Sequence, residues 1–299
     1  MMELIKDTKI DFIGLRKIAF IISGVLLAIG IFSFVMISLG KANLSIDFTG
    51  GTNVQIRFAD RVNIGDLRHA LESGGISDVQ IQEVSGTRDF FIKTKLSDTE
   101  KESVSAKITN ILSAQLKGAK FEVLGSNMVG PGVGKSLKKY AIIAIILALL
   151  GIIIYIAWRF TFLSGIAATL ATFHDVLAIC GVFYFLDKEF NLLIITALLT
   201  IAGYSLQDTV VVFDRIRENS AKMKSRDDFG NVINASINEV LSRTIVTGIS
   251  TLICLAAIMI FGGEVLFDFA FALFLGLIVG TYSSIFVASP IVYAWRKKI

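Results

Sequence analysis

Gly203–Asn219, GYSLQDTVVVFDRIREN, is the stretch from which the fold of this chain is read. It sets Asp208 inside an apolar run and closes the run in alternating charge, Asp214-Arg215-Ile216-Arg217-Glu218. Burying an ionised carboxylate in hydrocarbon is costly, so such a group is neutral, paired or turned toward a polar cavity. An acid in the middle of a membrane-length run is therefore a functional-site candidate.

The rest of the chain repeats the pattern. Hydrophobic residues make up 54% and charged residues 18% of the 299 positions, with a mean hydropathy of +0.71. A soluble domain carries more charge than this. The apolar residues gather in runs of roughly 20, the length that crosses a bilayer core as a helix. Six runs are read: Ile18–Leu39, Tyr140–Ala157, Phe162–Leu186, Leu192–Phe213, Thr244–Phe261 and Leu266–Trp295. The first is too long for the apolar core of a signal peptide and lacks a cleavage site after it, so it is read as a retained helix.

Charge placement sets the expected orientation. Lys6, Lys9, Arg16 and Lys17 precede the first run, and Arg159 separates the second from the third. Arg215, Arg217, Lys222, Lys224, Arg226 and Arg243 lie between the fourth and fifth, and Arg296, Lys297 and Lys298 end the chain. The opposite turns are short: Asp187-Lys188-Glu189 and Gly262-Gly263-Glu264. The positive-inside rule then predicts cytoplasmic N- and C-termini. No basic cluster is interleaved with aromatics, which argues against nucleic acid as a partner. Expected divisions are residues 1–40 (N-terminus and first helix), 41–137 (an outer domain) and 138–299 (five helices, with a cytoplasmic loop at 214–243). Cys180 and Cys254 lie in apolar runs without metal-ligand spacing and are expected as small core residues.

The outer segment is the one long polar stretch. TNVQIRFA (52–59) alternates as a half-buried strand does. Asn63 is expected to cap a helix with Ile64, Leu67, Ala70 and Leu71 on its apolar face, ending at Gly74-Gly75. Val79–Val84 and Asp89–Thr94 read as strands joined by a Ser-Gly turn. Ser97-Asp98 opens a second helix with Val104, Ile108, Ile111 and Leu112 as its stripe, and Ala119–Leu124 is a last strand. The order β-α-β-β-α-β is the ferredoxin-like arrangement. His69, beside the first helix's apolar face, has no ligand-type neighbour at metal spacing and reads as a boundary histidine. Gly130–Ser136, GPGVGKS, resembles a phosphate loop, but that pattern needs Gly where Val129 stands. It reads instead as a flexible joint. No nucleophile, metal set or cofactor loop emerges, so no enzyme, metal or cofactor is expected.

Inside the membrane, polar residues recur at helical spacing. The fourth run carries Thr196, Thr200, Tyr204 and Asp208, with Gln207 beside the last. The fifth carries Arg243, Thr247, Ser250, Thr251 and Cys254. The third carries Gly165, Ala168, Thr172 and Asp175, with His174 adjoining. A period near 3.6 predicts each set on one side of its helix. Ser and Thr there, with Gly276 and Gly280 in the last run, suit helix packing. The ionisable members ask for more: burial pulls an acid toward its neutral form and a nearby cation pulls it back, the balance a proton relay needs. Asp208, Arg243, Asp175 and His174 are the candidate relay.

Several motifs together resemble the SecF branch of the SecD/SecF protein-export family. They are Asp47-Phe48-Thr49-Gly50-Gly51 after the first helix, His174-Asp175-Val176 in the third, and Gly203–Asn219. Ser242-Arg243-Thr244 opens the fifth, and Phe261-Gly262-Gly263 forms the last outer turn. The resemblance extends over nearly the full length. Gln207 stands where the family has Asn and keeps an amide. Asp47, Gly50, Gly51, Gly203, Gln207, Asp214 and Arg215 are carried over as structural or interface positions. The resemblance implies a six-helix subunit of the bacterial cytoplasmic membrane that pairs with SecD and associates with the SecYEG channel. It implies use of the proton gradient to draw exported, unfolded polypeptide outward, with Asp208 and Arg243 important for proton passage. Two other readings remain open: a scaffold subunit that leaves proton conduction to its partner, and half of a resistance-nodulation-division-type exporter of small molecules.

Overall fold

The structure, a computed structural model, describes residues 8–76, 79–84, 87–95, 103–116, 118–223 and 228–296. Lys6, the Ser85-Gly86 turn, the helix opening at Ser97-Asp98, Lys224, Arg226, Lys297 and Lys298 lie outside the described residues. The chain divides into two compact units, Leu44–Ile142 and the remainder, Met1–Asn43 with Ile143–Ile299.

The α+β unit follows the expected order. A short helix α2 (Ile46–Thr49) leads into β1 (Gly51–Phe58), then α3 (Ile64–Ser73), β2 (Gln80–Glu83), β3 (Asp89–Thr94), α4 (Val104–Gln115) and β4 (Phe121–Val129). The sheet runs β2-β3-β1-β4 with every pair antiparallel. Val54, Ile56 and Phe58 alternate into a core shared with Leu67, Ala70 and Leu71 of α3 and Val104, Ile108 and Leu112 of α4. Asn63 caps α3 by accepting from the Gly65 N–H at 2.7 Å. The cap of α4 is Ser103, whose Oγ accepts from the Ala106 N–H at 3.1 Å.

Two expectations change here. The last strand runs on to Val129, because its second half pairs with the start of β1 as far as Gly51↔Val129. Residues 131–136, expected as a joint, are helical: α5 (Pro131–Arg159) begins there, and a proline's missing N–H is harmless at a first helical position. Gly50 and Gly51 earn their place by geometry. Their φ values are 73° and 131°, and a Cβ on Gly51 would sit 2.3 Å from the Thr94 carbonyl oxygen. Only glycine starts β1 so close to β3.

The helical unit is built from α1 (Arg16–Ser38), most of α5, α6 (Phe162–Phe185), α7 (Leu192–Ala221), α8 (Phe229–Phe261) and α9 (Gly263–Ser283). A π-helical turn at Ser284–Ala288 and α10 (Ser289–Arg296) continue α9. Among the described residues, six spans are long and apolar enough to cross a membrane. The segment 214–243, expected as a loop, is helical through Ala221 and again from Phe229. The alternating charges favour its first part: Arg217 pairs with Asp214 at 2.9 Å and Arg215 with Glu218 at 2.7 Å, both three residues apart on α7, a spacing that supports helix.

Helices approach closely where glycine permits. A Cβ on Gly276 would meet Ile201 at 2.4 Å, and one on Gly280 would meet the Ser205 Cβ at 3.0 Å. These two pairs, four residues apart on both helices, bring α7 and α9 nearly backbone to backbone. Cys180 is buried as expected, but Cys254 is exposed on α8.

Candidate functional site

α6 presents Gly165, Ala168, Thr172, His174 and Asp175, all buried. Asp175 is fully enclosed. Its Oδ2 accepts from the Ser205 hydroxyl of α7 at 2.6 Å and from the Ser283 hydroxyl of α9 at 2.7 Å. Its Oδ1 lies 3.0 Å from His174 Nδ1. One carboxylate therefore ties three helices. His174 Nε2 is buried without a hydrogen-bond partner among the described residues. The ring lies beside Tyr282, at 6.4 Å between centroids. The Tyr282 hydroxyl in turn donates to the Ala19 carbonyl at 2.8 Å.

Asp208 sits one turn along α7 from Ser205 and is 6% exposed. Its Oδ2 accepts from Thr281 Oγ1 of α9 at 3.4 Å, the outer limit of a hydrogen bond. No ion pair within 4.0 Å joins Arg243 to Asp208 among the described residues. Thr281 is the residue that touches Asp208, and Arg243 stands at an exposed position on α8. Thr281 was not singled out from sequence. Its signal was the hydroxyl cluster Thr281, Ser283, Ser284 and Ser289 just after Gly280.

The α7 stripe does not stay on one face. Thr196 and Thr200 are exposed, Tyr204 is half-buried and Asp208 is buried. A step of four residues overshoots a 3.6-residue turn by about 40°, so three steps carry the stripe about 120° around the helix. The exposed polar face of α7 is instead Thr196, Thr200, Gly203 and Gln207, and that of α8 is Arg243, Thr247, Ser250 and Cys254. The hydroxyls on these faces satisfy themselves on their own helices. Thr200 donates to the Thr196 carbonyl at 2.8 Å and Thr247 to the Arg243 carbonyl at 3.0 Å. The side chains of Arg243 and Gln207 make no hydrogen bond among the described residues.

The charged ends of α7 and α8 act as structural pins. Asp214 pairs with Arg159 at 3.1 Å, across the α5–α6 corner. Arg215 hydrogen-bonds Glu239 of α8, and Asn219 donates to Ser236 and Glu239 at 3.1 and 3.0 Å. The segment before α1 is fastened to the same part of α8. Asn238 accepts from the Ile10 N–H at 3.0 Å and donates to the Ile10 carbonyl at 2.9 Å, while Asn234 accepts from the Ile13 N–H at 2.9 Å. Asp47 lies on α2, in the turn that leads into Gly50-Gly51.

Comparison with known proteins places this architecture. Residues 108–298 match the family described as "Protein export membrane protein SecD/SecF, C-terminal", and residues 41–60 match the "SecD/SecF GG Motif". The chain is 49% identical to the protein translocase subunit SecF of Thermodesulfovibrio yellowstonii, over 99% of this chain and 98% of that one. It is 35% identical to the same subunit of Pseudomonas aeruginosa, over 97% and 92%. The crystal structure of SecDF, a translocon-associated membrane protein from Thermus thermophilus, superposes with a TM-score of 0.86 at 37% identity. The match covers 97% of this chain and 39% of that chain. SecDF in its super-membrane-facing form matches with a TM-score of 0.70 at 36% identity, again over 39% of the longer chain.

Proposed function

The chain belongs to the SecD/SecF family of protein-export membrane proteins, and from that membership we propose that it is the proton-driven auxiliary subunit of a Sec translocase. It is a multi-pass membrane protein that works beside SecD and the SecYEG channel. Its likeness to SecDF, where the matching part is joined to a longer remainder of the chain, supports SecD as its companion. Both termini and the 214–243 segment face the cytoplasm, and the α+β unit meets the emerging, unfolded chain on the other side.

The observation that carries the proton reading is Asp208: a carboxyl 6% exposed within a membrane span, with one hydroxyl donor at 3.4 Å and no ion-pair partner within 4.0 Å among the described residues. An acid so loosely held can gain and lose a proton without dismantling a tight ion pair. Asp208 loads and releases the proton, and Arg243 favours its ionised form. Asp175 and His174 are the inner, buried pair of the same site. One charge crossing 100 mV releases about 2.3 kcal/mol, enough to bias a two-state swing of the α+β unit.

The exposed polar faces of α7 and α8 support the partner. Arg243 and Gln207 would be costly against lipid and are readily matched by polar groups of a second helical bundle. The small-molecule exporter reading fits less well. The α+β unit's open cleft of about 870 Å³ is lined by Arg57, Arg61, Arg88, Lys120, Glu83 and Glu122 among others, charges of both signs rather than an apolar pocket.

The test is Asp208→Asn in a reconstituted complex with SecD. Proton flux and gradient-driven export are expected to fall to background while co-purification with SecD is kept. Flux and export at the parental level would overturn the relay. Lost assembly with normal flux per assembled complex would support the scaffold reading instead.

A further inference from the structure

We propose that Asp175 is the positioning residue of the proton site, setting the spacing of α7 and α9 on which the place of Asp208 depends. This rests on the reading of Asp208 as the proton-loading group.

The geometry supplies the steps. Asp175 Oδ2 accepts from both Ser205 and Ser283, at 2.6 and 2.7 Å, with His174 Nδ1 on the other oxygen at 3.0 Å. Ser205 lies three residues before Asp208 on α7, and Thr281 lies two residues before Ser283 on α9. Both halves of the Asp208–Thr281 contact therefore hang on helices that Asp175 joins. That contact is 3.4 Å long, so a few tenths of an ångström in helix spacing decides whether it exists. Asp175 and Asp208 share no hydrogen-bond partner among the described residues. Asp175 thus acts on Asp208 through helix position rather than through a chain of donors.

α9 needs such a hold at this point. Ser283 immediately precedes the π turn Ser284–Ala288, where the α-helical ladder is interrupted and the Ser289 hydroxyl donates to the Ser284 carbonyl at 3.0 Å. Turns of this kind are where a helix yields and are common at functional sites. The Ser283 hydroxyl has one proton and two acceptors in reach, Asp175 Oδ2 at 2.7 Å and the Gly280 carbonyl at 3.1 Å. Without the carboxylate it turns back onto its own helix, and the tie from α9 to α6 and α7 is gone. Gly280 is also where α9 nearly touches Ser205, so the tie acts at the closest approach of the two helices.

The experiment measures proton flux per assembled complex, with the full chain and SecD reconstituted in vesicles under an imposed proton gradient. Asp208→Asn defines the closed baseline. Asp175→Asn keeps the shape and one acceptor oxygen, and flux is expected to fall about threefold, since a neutral acceptor bonds more weakly than a charged one. Asp175→Leu keeps the branched shape, at a larger volume, without an acceptor, and a fall of about tenfold or more is expected. In the Leu background, Ser283→Ala is expected to cost nothing further, the non-additivity of one shared network. Should Asp175→Leu fail to assemble, Ser205→Ala and Ser283→Ala carry the test, each expected to lower flux about threefold although neither serine ionises near neutral pH. Asp175→Asn at the Asp208→Asn baseline would overturn the proposal and make Asp175 a proton carrier. Full flux in Asp175→Leu, or in both serine variants, would overturn it as well. Full flux in Asp208→Asn would instead sink the proton-site reading itself.

Discussion

Adding a single methyl group at Gly276 tests the α7–α9 contact that frames the site. A Cβ there would sit 2.4 Å from Ile201 Cδ1, 2.5 Å from Cγ1 and 2.9 Å from Cγ2. Carbon atoms pack at about 3.5–4.0 Å, so the side chain or the helix must retreat by about an ångström. Ile201 is itself 2% exposed and has little room to move. Overpacking of this kind costs about 1–3 kcal/mol, against a helix-propensity gain of about 0.8–1 kcal/mol for Gly→Ala. The net expectation for Gly276→Ala is a loss of up to about 2 kcal/mol. At Gly24 and Gly151, also within helices, nothing lies within 4 Å of the added carbon, so Ala there is expected to be neutral or to stabilise by up to about 1 kcal/mol. The sign separates the two cases. The assay is thermal unfolding followed by thiol labelling of buried Cys180 in a Cys254→Ser background. Ile201→Ala should relieve the clash, so the double variant is expected to be more stable than the two single losses summed. If Gly276→Ala matches Gly24→Ala, or if Ile201→Ala brings no relief, the close approach of α7 and α9 is wrong.

Three further outcomes follow from the contacts described. Arg57 donates twice to Asp89, at 2.7 and 2.8 Å, and beside that guanidinium the buried Asp89 carboxyl is held below its ordinary value. A depressed carboxyl stabilises the fold fully above its unfolded pKa, about 3.9, and loses that contribution as pH falls through the lower folded value. Hydrogen-exchange protection of β1 and β3, corrected for intrinsic rates, should fall with acidification in that window, and Arg57→Ala should flatten the dependence. Asn238→Ala removes both bonds to the Ile10 backbone, so trypsin should cut at Lys9 several-fold faster, with the helical unit's unfolding temperature changed by little. Cys254 is exposed and Cys180 buried, so a maleimide should label Cys254 alone in the isolated chain, and co-assembly with SecD should slow that labelling.

Much of the architecture was legible without coordinates. Hydrophobic run length alone marks the membrane spans, because a bilayer accepts only about 20 apolar residues per helix crossing and punishes every unpaired polar group. Strict alternation in TNVQIRFA and the caps around 63–75 marked the α+β unit, because those periods are local properties of strand and helix. Glycine at 50 and 51 was visible as a motif, though its reason, the Thr94 carbonyl 2.3 Å from where a Cβ would go, belongs to the paired strands.

The site itself was only half legible. Sequence by itself determined that Asp175 and Asp208 lie in membrane-length helices and cannot be ordinary surface acids. It also determined which charges cluster at which helix ends. Tertiary structure decided which donors reach those acids: Thr281 for Asp208, and Ser205 with Ser283 for Asp175. It decided too that the α7 stripe winds from an exposed threonine face to a buried carboxyl, and that Arg243 stands off at a distance. The physical reason is that periodicity reports which side of a helix a residue occupies. A hydrogen bond between helices depends on their relative rotation and axial position, which packing at Gly276 and Gly280 fixes to tenths of an ångström.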